Sequence, residues 1–386
     1  MNLWCPDQPY NDLPLLPPAQ DIETRRILKA CIPAHAKLAE LKRVEQLVPN
    51  PVLVNSIPLL EAQASSEIEN IVTTTDRLFM AAASQREADD PATRETLRYR
   101  EALWQAHRNL GLKKRQISTA TAIEICSVLR GVEMEIRRVP GTSLVNETTG
   151  EIVYTPPAGD ERIRELMKNW EDFLHGNDEI DPLIRMAVLH YQFEAIHPFT
   201  DGNGRTGRIL NVLYLVRKRM LSSPILYLSG FIIRNKADYY SLLRGVTADG
   251  RWEDWIVYIL KGIEETCQWT IDKIEAIRGL MDFSTAYIRD RAPHLPVHEL
   301  VELLFLQTHC RIGDVVDRGI AKRQTASVYL KTLVEIGVLL ETSTGREKLF
   351  LHAALIDLLK SNDNSFDPYR PPEPIDIDLG TLGVKG

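Results

Sequence analysis

Apolar positions recur at three- and four-residue steps from Ile22 to Leu47 and again from Val54 to Met80, with Pro51 as punctuation, so two amphipathic helices are expected there. The same spacing marks helices over Ala92–Leu110 and Thr119–Val132 before it breaks at Arg137-Arg138-Val139-Pro140-Gly141. Between Ser143 and Pro157, Thr149-Gly150 separates Leu144-Val145 from the β-branched run Ile152-Val153, which predicts a short exposed hairpin. Helical spacing returns over Arg162–His175 and Pro182–Ile196, yields to a glycine-rich loop at 197–204, and resumes at Arg205–Met220. Lys236–Val246 and Trp252–Asp282 complete a large helical region.

Ahead of these helices, Pro6, Pro9, Pro14, Pro17 and Pro18 remove backbone donors and fix φ, which predicts an extended arm. Behind them the pattern changes near Arg291-Ala292-Pro293 to short helices over Val297–Leu306, Ile312–Asp317 and Lys322–Ile336. Two β-like runs follow, Gly337-Val338-Leu339-Leu340-Glu341 and Lys348-Leu349-Phe350-Leu351, flanking Gly345. Three helices and a β-ribbon describe a winged helix-turn-helix module. The chain therefore reads as mainly α, with an N-terminal helical region at 1–90, a helical core with a β-hairpin flap at 91–285, a winged-helix module at 293–360 and a tail at 361–386. The tail holds four prolines, five acids and two bases and reads as poorly structured, although Ile375-Asp376-Ile377-Asp378-Leu379 alternates like an edge strand.

Composition narrows the function. With 44% hydrophobic and 26% charged residues in 386, the chain is neither disordered by charge nor membrane-like. Forty-six Lys+Arg against 53 Asp+Glu give a net charge of -7, which excludes a whole-molecule clamp on nucleic acid. Cys5, Cys31, Cys126, Cys267 and Cys310 form no Cys-x-x-Cys pair, and a reducing compartment fits them best. The sequence opens without a basic region followed by an apolar run and nowhere approaches roughly 18 uninterrupted apolar residues, so a cytoplasmic protein with no membrane role is expected.

One stretch concentrates the chemistry: His197-Pro198-Phe199-Thr200-Asp201-Gly202-Asn203-Gly204-Arg205-Thr206-Gly207-Arg208. Its glycines let backbone approach a ligand, and the helix that follows presents unpaired N–H groups at its N-terminus, which makes an anion site. Arg205 and Arg208, three apart, share a helical face and can clamp a polyphosphate. Asp201 is a hard carboxylate beside that site, suited to Mg2+ or Mn2+. His197, with an ordinary pKa near 6.5, is the candidate base, Asn203 offers an amide donor to a phosphate oxygen, and Phe199 reads as a core anchor. No Gly-Lys-Ser/Thr of a Walker loop and no His-Glu-x-x-His of a zincin occurs.

At every defining position this stretch resembles the signature of the Fic/Doc family, whose members transfer AMP from ATP to a hydroxyl side chain of a target protein. The resemblance implies a Fic-type helical core in which His197 deprotonates the target hydroxyl and Asp201 holds the metal ion. Gly202, Asn203 and Gly204 would cradle the α-phosphate, while Arg205 and Arg208 would orient the β- and γ-phosphates. Tyr239-Tyr240 resembles the family's adenine-side pair, with Tyr240 as the stacking residue. The 143–157 hairpin falls where the family carries its target-docking flap, and Ile152-Val153-Tyr154-Thr155 would pair with an extended target segment.

Ser65-Ser66-Glu67-Ile68-Glu69-Asn70 lies inside the helix expected over 54–80, so Ser65 and Glu69 share a face. Beside a Fic signature, Ser65, Glu69 and Asn70 match the family's inhibitory motif, whose Glu would pair with Arg208 and block the γ-phosphate. The expected activity is an autoinhibited, ATP- and Mg2+-dependent protein adenylyltransferase acting on Ser, Thr or Tyr, with the chain itself among the acceptors. A phosphotransferase like the Doc branch is disfavoured because Gly202, Asn203 and Gly204 are intact, and a nucleotide-sensing transcription regulator is the rival from another class. The module at 294–360 holds eight Lys+Arg and eight Asp+Glu, so DNA contact through Lys322, Arg323, Gln324, Arg346 and Lys348 would be weak. Protein docking or a homodimer is the stronger expectation for it.

Overall fold

The computed structural model describes residues 4–47, 50–83, 90–112, 115–139, 142–145, 149–176, 179–306, 308–344, 347–361, 364–367 and 369. The chain divides into two compact units, Met1–Ile274 and Glu275–Gly386. Among the described residues no helix is long and apolar enough to cross a membrane.

In the first unit, α1 (Arg25–Val44) starts where the Thr24 hydroxyl accepts the Ile27 N–H, and it buries Ile27, Cys31, Ala34, Leu38 and Leu41. The single helix expected over 54–80 is two, α2 (Asn50–Ile68) and α3 (Thr75–Ala83). The chain leaves the helix because Asn70 turns left-handed at φ 61°, a conformation that Asn tolerates better than most side chains. Glu69 and Ser65 therefore do not share a helical face: Glu69 lies in the closing turn, where its N–H donates to the Ser66 carbonyl at 3.0 Å.

α4 (Pro91–Leu112) begins at Asp90, whose carboxylate accepts the Thr93 N–H at 2.9 Å. α5 (Thr119–Arg130) opens on a Ser118–Thr121 capping box and closes on Gly131. The flap strands β1 (Leu144–Val145) and β2 (Ile152–Tyr154) pair antiparallel, with Leu144 opposite Tyr154. Then come α6 (Asp160–Leu174), α7 (Pro182–Ile196), α8 (Asn203–Arg217), α9 (Leu228–Arg234), α10 (Lys236–Asp249) and α11 (Trp252–Arg291), which runs on past the expected end at Asp282. α7 and α8 are buried almost all round and pack on each other, which makes them the centre of the unit. α9 was not legible in the apolar spacing, being only 7 residues long.

The proline-rich arm, expected to be extended, instead turns at Cys5–Gln8 and Tyr10–Leu13 because its backbone bonds close locally there, and it is tied down by the rest of the unit. Tyr10 N–H donates to the Thr155 carbonyl at 3.0 Å, Asn169 exchanges two hydrogen bonds with the Leu16 backbone, and Gln192 donates to the Pro14 carbonyl at 2.8 Å. Trp4 stacks on Tyr154 with 6.4 Å between ring centroids.

The second unit carries α12 (Val297–Leu306), α13 (Ile312–Asp317) and α14 (Arg323–Glu335) ahead of the antiparallel pair β4 (Leu340–Thr344) and β5 (Glu347–Leu351). To that order it adds β3 (His309–Cys310), which pairs with β5, and a last helix α15 (Ala353–Lys360). Of the tail, Tyr369 is buried, with its hydroxyl 2.6 Å from Ser284 Oγ and 2.8 Å from His352 Nε2. Arg346 and the alternating run at 375–379 lie outside the described residues.

α2 is held by a buried carboxylate. Glu61 accepts the Ser229 N–H of α9 at 2.9 Å, the Ser229 hydroxyl at 2.5 Å and the Tyr99 hydroxyl of α4 at 3.2 Å. Burial pushes its carboxyl up to about 6, against the lowering effect of Ser229, Arg208 and Tyr99. Glu61→Ala should strip acceptors from three donors and destabilise the protein by about 2 kcal/mol, read as a lower unfolding midpoint, with Glu61→Gln closer to the parent.

Candidate functional site

The site is built where α7 stops and α8 starts. His197 caps α7 in the left-handed region at φ 50°, its N–H donating to the Phe193 carbonyl at 3.0 Å, and Pro198 prevents the helix from continuing. The exposed carbonyls of that helix end are collected by one buried side chain, Arg137, whose Nε donates to His197 O at 2.7 Å and Nη2 to Ile196 O at 3.2 Å. Nη2 also donates to Pro157 O at 2.5 Å, so the same guanidinium ties the flap to the end of α7.

Between His197 and α8 the chain is pinned from below. Phe199 is fully buried against Phe193, as expected of an anchor. Asn203 differs from its expected role: its Oδ1 accepts the Phe199 N–H and its Nδ2 donates to the Phe199 carbonyl, both at 2.8 Å. Its side-chain amide braces the loop through both of its polar atoms. Gly202 caps α8 at φ 83°, a conformation that favours glycine, and the first turn of α8 aims its unpaired N–H groups outward.

A carboxylate lies on that helix end. Glu69 Oε1 accepts from Arg208 Nη2 at 2.8 Å and sits so close over Gly204 that a Cβ there would collide with it. Arg208, 2% exposed, also donates through Nε to Ser65 Oγ at 2.8 Å and through Nη2 to Ser65 O at 2.9 Å. Burial alone would raise the Glu69 carboxyl, but Arg208 above all, with Arg205 and His197, outweighs it and holds the group below its ordinary value. Asn70, the third residue of this motif, accepts from Lys236 Nζ at 3.4 Å.

Arg205 and Asp201 belong to a second ionic cluster. Arg205 Nη1 lies 2.6 Å from Glu95 Oε1 on α4, and that oxygen is also 3.0 Å from Arg130 Nη1 on α5. Arg130 Nη1 is in turn 2.8 Å from Asp201 Oδ2. Among the described residues no three His, Cys, Asp or Glu gather as a metal cage. Asp201 nevertheless fits a cation that takes its remaining ligands from phosphate and water: its side chain is 53% exposed beside the α8 N-terminus, and the group it faces is already cationic.

His197 is buried enough to lose its ordinary basicity. Desolvation first and the Arg137 charge second bring its pKa down to about 4, against the opposing pull of Glu69 and Asp201. Its Nδ1 has no partner among the described residues. Behind Arg208, burial raises the Glu194 carboxyl to about 7, and His190 donates to or accepts from the Tyr239 hydroxyl at 2.9 Å. Tyr239 is buried and its neighbour Tyr240 is 43% exposed, so only the second is placed to meet a ligand from solvent.

The flap is narrower than expected. Ile152 is exposed and Val153 half-buried, but the Tyr154 hydroxyl donates to the Ala195 carbonyl at 2.7 Å. Thr155 is buried, its hydroxyl donating to Pro6 O at 2.7 Å and its carbonyl taken by Tyr10. That leaves Ile152-Val153 as the accessible part of the strand. Glu95, Arg130, Arg137 and Glu61 were not singled out from sequence; neighbours such as Arg94 and Arg138 are charged as well, and only the tertiary fold brings Glu95, Arg130 and Arg137 to the loop and Glu61 to α9.

Residues 102–215 match the Fic/DOC family and residues 28–108 the Fic/DOC family N-terminal region. Residues 280–355 match the domain described as "Protein adenylyltransferase SoFic-like, C-terminal domain". The chain is similar to protein adenylyltransferase fic-1 of Caenorhabditis briggsae, 31% identical over 41% of this chain and 29% of that protein. It is also similar to protein adenylyltransferase Fic of Nematostella vectensis, 34% identical over 23% of this chain and 20% of that one. The matches thus span less than a third of either relative's length. The fold is similar to that of a Fic family protein from Desulfovibrio desulfuricans G20, at TM-score 0.54 and 21% identity over 87% of this chain and 98% of that one. Two adjoining matches, the loop between α7 and α8 that lies within the second of them, and a shared fold lead to one assignment: residues 28–215 form a region that matches the Fic/DOC family.

Proposed function

We propose that this chain transfers AMP from ATP to a Ser, Thr or Tyr hydroxyl of a protein target and is held in a low-activity state by Glu69. The observation that carries the reading is the Glu69 carboxylate lying over Gly204 on Arg208, at a helix end made for phosphate, with an uncharged imidazole at the other end of the loop. Arg208 and the helix end thus already hold one anion, in the place that this reading gives to a phosphate.

In the reaction, the target strand lies along Ile152-Val153 and delivers its hydroxyl to His197. The imidazole takes the hydroxyl proton, the oxygen forms a bond to the α-phosphorus, and the bond from that phosphorus to the bridging oxygen breaks, so pyrophosphate leaves with the electron pair. The N–H groups of the first α8 turn hold the α-phosphate oxygens, and Arg205 and Arg208 hold the outer phosphates. Tyr240 lies against the base. Asp201 would hold a divalent cation, which supplies charge neutralisation for the phosphates. Glu69 competes with the outermost phosphate for the Arg208 fork and repels its charge. The five cysteines are all free, in keeping with a reducing compartment such as the cytoplasm. For the C-terminal module a protein partner or a second copy is favoured over DNA, because its charges balance.

Glu69→Gly should raise labelling of protein by ATP tagged at the α-phosphate by about tenfold or more, and His197→Ala in that background should remove about 10²-fold or more. Label from the γ-phosphate instead, with a phosphoryl mass on the target, would point to phosphotransfer and sink the reading. No change on releasing Glu69 while ATP still binds would sink the brake.

A second expectation concerns pH. A base whose pKa is depressed stays unprotonated to lower pH, and removing Glu69 takes away a negative neighbour that supports the protonated form. The acid limb of kcat/KM for Glu69→Gly should therefore fall only below about pH 5, well under the 6.5 of free imidazole.

A further inference from the structure

The cluster around Asp201 has an order that single ion pairs lack. Arg130 Nη1 sits between two carboxylates, 2.8 Å from Asp201 Oδ2 and 3.0 Å from Glu95 Oε1. The same Glu95 oxygen takes Arg205 Nη1 at 2.6 Å, and Arg205 Nη2 is 3.8 Å from Asp201 Oδ1. Charges thus alternate as Asp201, Arg130, Glu95, Arg205, two negative and two positive, and the ring is closed on itself. Arg130 is not a loose surface side chain. It ends α5, its carbonyl accepts from Arg98 Nη1 at 3.3 Å, and its stem lies in van der Waals reach of a Cβ placed on Gly202. Its side chain is 30% exposed, Glu95 24% and Arg205 1%.

We propose that Arg130 is a resident counter-cation of Asp201, which a divalent ion must displace, and that Glu95 is the positioning residue that receives it. This rests on the reading above that Asp201 takes such an ion. A guanidinium 2.8 Å from the carboxylate and a divalent cation on that carboxylate repel each other, so one must withdraw. Glu95 already touches Arg130 and needs no rearrangement to hold it. While it does so it keeps Arg205 facing the phosphates, so the fully buried arginine is never left without an anion.

The two acidic partners of Arg130 therefore act in opposition, which a purely structural ion pair would not do. Removing Arg130 frees Asp201 and tightens cation binding. Neutralising Glu95 leaves Arg130 with Asp201 as its only carboxylate, and lets Arg205 lean toward it as well, which weakens cation binding.

The test is a titration of the full-length chain with Mn2+ alone, following free Mn2+ by electron paramagnetic resonance, with thermal unfolding to verify that each variant is folded. Arg130→Gln should bind Mn2+ about tenfold more tightly than the parent and Glu95→Gln about threefold more weakly. Arg130→Lys, which keeps the charge, should stay near the parent, and the differences should vanish in an Asp201→Asn background. Unchanged or weaker binding in Arg130→Gln, or Glu95→Gln shifting in the same direction as Arg130→Gln, overturns the inference alone. If no variant binds Mn2+ through Asp201, the inference falls together with the cation reading beneath it.

Discussion

A guanidinium buried at the centre of a helical bundle must be given oxygen partners, since an unpaired buried charge costs several kcal/mol. Arg208 is such a group, and the hydrogen bonds it makes among the described residues run to α2 and the turn that follows it. The end of α2 supplies a hydroxyl and a carbonyl from Ser65, and the turn that follows supplies the Glu69 carboxylate. The packing of α2 against α9 and α4 through Glu61 is thereby joined to the state of the loop ahead of α8. In the proposed reaction a phosphate would exchange for Glu69 alone, since the two bonds from Arg208 to Ser65 do not involve that carboxylate.

Much of this was legible in the residues themselves. A histidine, an acid, two glycines and two arginines within one loop leave few alternatives, and the order of helices and ribbon follows the apolar spacing closely. The break between α2 and α3 was hidden because apolar spacing continues through Ile71 and Val72, and only the tolerance of Asn70 for a left-handed turn could have marked it. Asn203 has a structural bond that the sequence did not indicate: its place four residues after Phe199 lets it close a ring with that backbone.

The residues that sequence could not reveal share one property. Glu95, Arg130 and Arg137 stand on separate elements, among other charges of the kind that are ordinarily solvated. Their roles arise from packing α4 and α5 beneath the loop, a long-range outcome that local spacing does not encode. Basicity behaves likewise. The imidazole of His197 is ordinary in sequence, and its depressed pKa comes from burial and from Arg137, which the chain brings in from 60 residues away.

The arm at the start of the chain carries a consequence for how the flap stands. Tyr10, Pro6 and Trp4 grip the far end of β2, with Pro6 and Thr155 separated by 149 positions along the chain. A version trimmed to begin at α1 would retain every signature residue and yet lose the strut under β2. Such a fragment would keep the bundle and its loop, with a sagging ledge where the hairpin stands.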